Sequence, residues 1–91
     1  MLNMKNLIQV GAIKDGDILV WHRKNLGSSV ELKVDQYGKL ETADGKIFNS
    51  PTAAAKNFNG GVAINGWRVW TIKRTNESLA EVRKKYSNSA D

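Results

Sequence analysis

The sequence predicts an α+β fold in which a small antiparallel β-meander sheet packs with two or three short helices. Residues 30–35 alternate apolar with charged side chains, the pattern of a strand with one buried and one solvated face. Asp44-Gly45 is a strong signal for a two-residue hairpin turn. After Ser50-Pro51 the pattern changes from that of strands to that of a helix. Short strands joined by tight turns and flanked by helices are typical of the α+β class.

A short helix is expected before the meander begins. Asn3 can cap it, and Gly11 suits the position just after its last turn. Five strands are predicted from apolar alternation and turn signals, at residues 18–23, 30–35, 40–43, 46–48 and 67–74. Residues 25–29 would form the hairpin loop between the first two strands. The first four strands would therefore neighbour one another in chain order.

A second helix is expected after the meander. Ser50 is a good N-cap, and Pro51 fits the first helical position because that position needs no N–H donor. The alanines that follow have high helix propensity and little bulk, so this helix can approach the sheet closely. Phe58 would anchor the helix, and residues 59–61 would end it.

A closing helix is expected at the end of the chain. Ser78 and Glu81 have the spacing of a capping box, in which each side chain satisfies the backbone N–H of the other. From Tyr86 onward the chain is expected to fray. The sequence therefore predicts a single domain, residues 1–91, with its core at about residues 2–86.

Tryptophan placement leaves two interpretations open. On the predicted strand at residues 67–74, Trp67 and Trp70 would lie on opposite faces. Either the strand is covered on both sides or one of the two is exposed, and Trp21 raises the same question in the first strand. A buried tryptophan would be core, whereas an exposed one beside arginines would be a contact site.

Catalysis is not expected, because the titratable groups do not converge. The chain has no cysteine, which excludes disulfides, thiolate nucleophiles and cysteine-based zinc sites and fits a cytoplasmic protein. Its single histidine, His22, is expected on a strand surface, and the acids lie in turns or on solvated strand faces. The glycines form no phosphate-binding loop. The sequence thus predicts no enzyme, no cofactor and no metal.

Positive charge favours a polyanionic partner. Fourteen Lys and Arg residues outnumber nine Asp and Glu residues, for a formal charge of +5. Each phosphate that a cation neutralises releases a counterion, which favours nucleic acid. Basic pairs at Arg23-Lys24 and Lys73-Arg74 adjoin the tryptophan-bearing strands. The helix start at Ser50 is either an ordinary cap or a cradle for a phosphate oxygen.

These segments, in this order, resemble the RAMA domain, named for its association with restriction enzymes and adenine methylases. The resemblance covers about residues 2–83. The matching motifs are Leu7-Ile8 with Gly11, Gly16-Asp17-Ile18-Leu19, Asp44-Gly45 before Phe48, Ser50-Pro51-Thr52-Ala53-Ala54, Asn65-Gly66-Trp67-Arg68-Val69-Trp70 and Leu79-Ala80-Glu81-Val82-Arg83. Thr52 stands where the family often has a second serine, and the hydroxyl is kept.

The resemblance implies a non-catalytic DNA-binding accessory domain of a restriction or DNA-modification system, one that could read methylated DNA. Its motif residues and the neighbouring cations form the predicted DNA-binding set: Arg23, Lys24, Ser50, Thr52, Lys56, Asn65, Trp67, Arg68, Trp70, Lys73 and Arg74. Asn65-Gly66 can equally be turn chemistry, and Trp70 can be core. The expected partner is double-stranded DNA. The alternative is a protein-interaction module that docks a methyltransferase or nuclease.

Overall fold

A computed structural model of the chain describes residues 2–23 and 27–89. The strands in these ranges are β1 (Ile18–Arg23), β2 (Ser28–Val34), β3 (Leu40–Glu41), β4 (Ile47–Phe48), β5 (Thr71–Ile72) and β6 (Glu77–Ser78). The helices there are α1 (Met4–Gln9), α2 (Pro51–Phe58), α3 (Gly66–Val69) and α4 (Leu79–Ser89). The predicted α+β class is confirmed, with one more helix than the two or three expected. None of these helices is long and apolar enough to cross a membrane.

All six strands form one antiparallel sheet in the order β4-β3-β2-β1-β5-β6. The first four strands neighbour one another in chain order, which confirms the predicted meander. In the register, Leu19 of β1 lies opposite Leu32 of β2 and Ile72 of β5. Val20 lies opposite Glu31 and Thr71 on the other side of the sheet. The sheet therefore has an apolar inner face and a mostly polar outer face.

The core lies between the inner face and a helix layer formed by α1–α4. Leu7 of α1 and Leu79 of α4 are fully buried in it beside Leu19 and Leu32. The second helix contributes only small side chains, Ala54 and Ala55, so its backbone lies close to the sheet. Removing one such leucine side chain lowers the free energy of unfolding by about 2–5 kcal/mol, because its transfer free energy is lost and a cavity remains.

Helix starts are set by local side chains, as the sequence predicts. Asn3 and Asn6 accept each other's backbone N–H at 2.9 and 3.0 Å, which closes the first turn of α1. Ser50 accepts the N–H of Ala53 at 3.1 Å at the start of α2. The capping box of α4 is confirmed, because Glu81 accepts from the backbone of Ser78 and the Ser78 hydroxyl accepts from Glu81.

The predicted strand at residues 67–74 is wrong except at Thr71 and Ile72. Asn65 accepts the N–H of Trp67 at 3.1 Å and caps a helical turn, α3, instead of an extended segment. Gly66 lies so close to the Pro51 carbonyl that a Cβ there would collide with it. The chain therefore turns against α2 before it reaches the sheet, and only Thr71 and Ile72 pair with β1.

Two smaller boundaries also differ from the predictions. The loop expected at residues 25–29 is shorter at its end, because Ser28 and Ser29 already pair with β1. Of the rest of that loop, residues 25 and 26 lie outside the described residues. Where fraying was expected from Tyr86, α4 continues to Ser89.

Candidate nucleic-acid interface

The two motif segments that carry the resemblance meet in space at a helix junction, formed by residues 50–52 and Asn65-Gly66. The N–H of Gly66 donates to Thr52 Oγ1 at 3.3 Å. Trp70 Nε1, which is buried, donates to the Pro51 carbonyl at 3.0 Å. Gly66 is buried, and only the lack of a side chain allows its backbone to lie against Pro51. The junction thus explains why glycine occupies position 66.

Polar side chains of the helix junction use their oxygens internally. Ser50, Thr52 and Asn65 each accept one backbone N–H. A hydroxyl or amide that accepts in this way still has hydrogens to donate. Thr52 and Asn65 are exposed, and Ser50 is half-buried. The junction can therefore donate hydrogen bonds to an anion while its caps stay intact.

Trp70 is core and not contact surface. Its side chain is fully buried, with Trp21 at 5.7 Å and Phe58 at 6.3 Å between ring centroids, both edge-to-face. The hydrogen bond to Pro51 satisfies the indole N–H. Trp70 therefore leaves the predicted DNA-binding set, since a ligand cannot reach it in this fold. Trp67 and Trp21 are half-buried, with part of each ring accessible.

Arg74 holds two loops together. Its Nε and a terminal nitrogen donate to the two carboxylate oxygens of Asp17 at 3.0 and 2.9 Å, and the same terminal nitrogen reaches the Ala12 carbonyl at 3.4 Å. The hydrogen bonds from Arg74 hold the pKa of the buried Asp17 below its usual 3.8. The pKa of Arg74 is raised in turn. Its guanidinium is thus committed to structure.

Two other predicted contacts, Arg23 and Lys73, lie toward the sheet. Arg23 donates to the Phe58 carbonyl at 2.6 Å, and its Cζ lies 4.8 Å from the ring centroid of Trp21. Lys73 pairs with Glu31 at 3.4 Å on the outer face, where both side chains are exposed. Exposed pairs of this kind are worth about 0–1 kcal/mol. Lys24 lies outside the described residues.

The remaining predicted cations, Lys56 of α2 and Arg68 of α3, are exposed. Neither side chain makes an ion pair or hydrogen bond within the part of the chain that the structure describes. A further arginine, Arg83 of α4, was missed as a site residue. Its Cζ lies 4.0 Å from the ring centroid of Trp67. Because α3 contacts both α2 and α4, these three cations belong to adjacent helices.

The charge distribution along the chain supplies a signal that sequence reasoning overlooked. Residues 45–76 contain five basic residues and no acidic one. The rest of the chain contains nine of each, so the whole formal charge of +5 belongs to this acid-free segment. The segment forms β4, α2, α3 and β5. An anion beside α2 and α3 therefore meets cations without neighbouring carboxylates of the same segment.

Acid–base or metal chemistry has no comparable support. Across residues 2–23 and 27–89, no three His, Asp or Glu side chains are grouped so that they could hold a metal ion. His22 is exposed, and its Nδ1 lies 3.1 Å from Ser29 Oγ. In the same ranges, every buried side-chain nitrogen and oxygen has a hydrogen-bond partner. What the arrangement offers is anion binding on the helix layer.

Comparison with known proteins places the chain in a family. Curated proteins give no match to the chain. A family model does, and its description, Restriction Enzyme Adenine Methylase Associated, names an associated domain and not a catalytic one. The match covers residues 1–91, the whole chain, and the motif residues predicted to carry the resemblance lie within it. The chain therefore belongs to the RAMA family.

Proposed function

We propose that this chain is a non-catalytic DNA-binding accessory module of a restriction or DNA-modification system. The observation that carries the proposal is the acid-free segment, residues 45–76, whose cations Lys56 and Arg68 are exposed and unpaired among the described residues. The family context supports it, because restriction enzymes and adenine methylases act on DNA. The proposal includes a cytoplasmic location, which agrees with a chain that lacks cysteine.

In this proposal, the phosphate backbone of duplex DNA lies against α2 and α3. Lys56 and Arg68 neutralise phosphates and release counterions. Hydroxyl and amide donors of Thr52 and Asn65 at the helix junction fix the register, as uncharged donors commonly do at phosphates. Such contacts carry affinity without reading sequence.

A narrower part of the proposal is that the module reads N6-methyladenine. With Trp70 in the core, the aromatic surface left beside the cations is the half-buried Trp67. An indole face favours a methylated base edge through dispersion and apolar contact. A methyltransferase or nuclease of the same system would then be the protein partner that such a module serves.

The test is a fluorescence-anisotropy titration of a short duplex, with matched methylated and unmethylated arms. Arg68→Glu should weaken binding at least tenfold at about 0.1 M salt, because one phosphate contact is worth about that much there. Lys33→Glu is the matched control: it is the same change on an exposed residue of the outer face. No binding by the unaltered protein at low salt would overturn the proposal, and protein docking would replace it. Equal affinity for both arms would reject only the methylation reader.

A further inference from the structure

The four arginines of the chain are engaged in different ways. Arg74 is bound to a carboxylate, and Arg23 donates to a backbone carbonyl. Arg68 is exposed and makes no contact of this kind among the described residues. Arg83 combines the two situations. Its guanidinium is held by Trp67, yet it donates no hydrogen bond within the described part of the chain.

The stack on Trp67 restrains Arg83, because the helices that carry the two residues, α3 and α4, are both held in place. Trp67 is fixed because Asn65 caps its backbone N–H and its ring packs against the core. Arg83 follows Val82, whose burial anchors α4 on that core. A guanidinium 4.0 Å from the indole centroid lies within cation–π range. Arg83 therefore loses less conformational freedom when it binds a ligand than an unrestrained arginine would.

The two acids that precede Arg83 most closely in the chain, Glu77 of β6 and Glu81 of α4, are already engaged. Glu81 accepts the N–H of Ser78 in the capping box. Glu77 pairs with Lys85 at 3.9 Å. The indole ring covers one face of the planar guanidinium. The five N–H donors point outward in the guanidinium plane and stay accessible. These donors have no hydrogen-bond acceptor among the described residues and are available to a ligand.

We propose that Arg83, held by Trp67, binds a phosphate of the DNA backbone and extends the interface from α2–α3 onto α4. The ligand class is a phosphodiester, because a planar fork of N–H donors matches two phosphate oxygens. This inference rests on the proposed function. It adds a residue outside the acid-free segment.

The experiment measures Kd for a fluorescent DNA duplex at several salt concentrations. Arg83→Gln should weaken binding about five- to tenfold at about 0.1 M salt and reduce the slope of log K against log salt by about 0.9. Arg83→Lys keeps the charge and loses the fork, so it should keep the slope with weaker binding. Trp67→Leu should resemble Arg83→Lys, because the charge remains but its restraint is lost.

Lys84→Gln is the matched control, since it removes the same charge from the neighbouring exposed position of α4. It should change Kd and slope less than Arg83→Gln does. If Arg83→Gln lowers only the melting temperature and leaves Kd and slope unchanged, the stack is structural and the inference is overturned. If Lys84→Gln has an equal effect, Arg83 has no special role, which also overturns it. If the unaltered protein binds no duplex, the proposed function fails and this inference fails with it.

Discussion

On the outer face of the sheet, basic side chains lie beside acidic ones, whereas α2 and α3 carry cations and no acids. Lys73 pairs with Glu31 at 3.4 Å, and Lys33 lies opposite Glu41 in the β2–β3 register. The acid-free segment, residues 45–76, places its helical cations on the other side of the core. The two surfaces share the same residue types and differ in where the carboxylates are.

The position of the acids, and not the number of cations, defines the candidate interface. A helix layer lies about 10 Å from the sheet on which it packs, and charges are screened over about 8 Å at physiological salt. Carboxylates on the outer face therefore do little to cancel the field above α2 and α3. Lys56 and Arg68 therefore present their charge to a ligand without nearby carboxylates of their own helices.

The largest expected effect is on the free energy of unfolding, and it tests whether Trp70 packs the helix layer against the sheet. Trp70→Ala should lower the free energy of unfolding by about 3–5 kcal/mol, because it leaves a cavity and removes the hydrogen bond to the Pro51 carbonyl. Trp67→Ala should cost about 1–2 kcal/mol, since Trp67 is only half-buried. Urea denaturation measures both. Equal losses would mean that the two tryptophans do not divide into core and surface.

A second test places an acid in the acid-free segment. Ala53→Glu adds a carboxylate at an exposed position in the first turn of α2. It should weaken DNA binding about tenfold at about 0.1 M salt by offsetting one cation. The free energy of unfolding should stay equal or rise by about 0.3–1 kcal/mol, because acids are favourable at helix starts. Ala53→Gln is the isosteric control, and unchanged DNA affinity in the Glu variant would show that α2 does not face DNA.

Much of the fold could be predicted because its signals are local. Ser50 and Ser78 cap helices through residues three positions away. Asp44-Gly45 lies in a turn as predicted, but the pairing of Glu41 with Ile47 makes that turn longer than two residues. The resemblance found the helix junction for the same reason, since its two halves are short motifs. How the halves join could not be predicted, because the contact of Gly66 with Pro51 is made across the fold.

The state of each arginine was beyond sequence reasoning for a similar reason. Lys73-Arg74 and Arg68 look alike as basic residues beside tryptophans. The partner of Arg74 is Asp17, on a loop at the opposite end of the chain. The partner of Arg83 is the ring of Trp67, which the predicted strand had placed on the sheet. Pairing depends on tertiary contacts, so composition cannot separate committed from available cations.

A third test concerns the committed cation, Arg74. Asp17 has a pKa below its usual 3.8 in the folded protein, so its ion pair stabilises the fold above pH 3.8 and is lost as the pH falls through the lower, folded value. Asp17→Asn should therefore lower the free energy of unfolding near pH 7, and the difference from the unaltered protein should shrink on acidification. Urea denaturation across this pH range measures it. A difference that does not change with pH would contradict the assigned role of the ion pair.

The smallest expected effect is on the outer face, where the comparison predicts that releasing a cation creates no interface. Glu31→Gln frees Lys73 from its exposed pair, and such pairs contribute about 0–1 kcal/mol to stability. DNA affinity should change by less than about twofold, since Lys73 lies across the core from α2 and α3 and its field there is screened. A gain in DNA affinity as large as the loss in Ala53→Glu would contradict the difference between the two surfaces. It would mean that DNA binding follows total charge, and that the helix layer differs from the outer face only in composition.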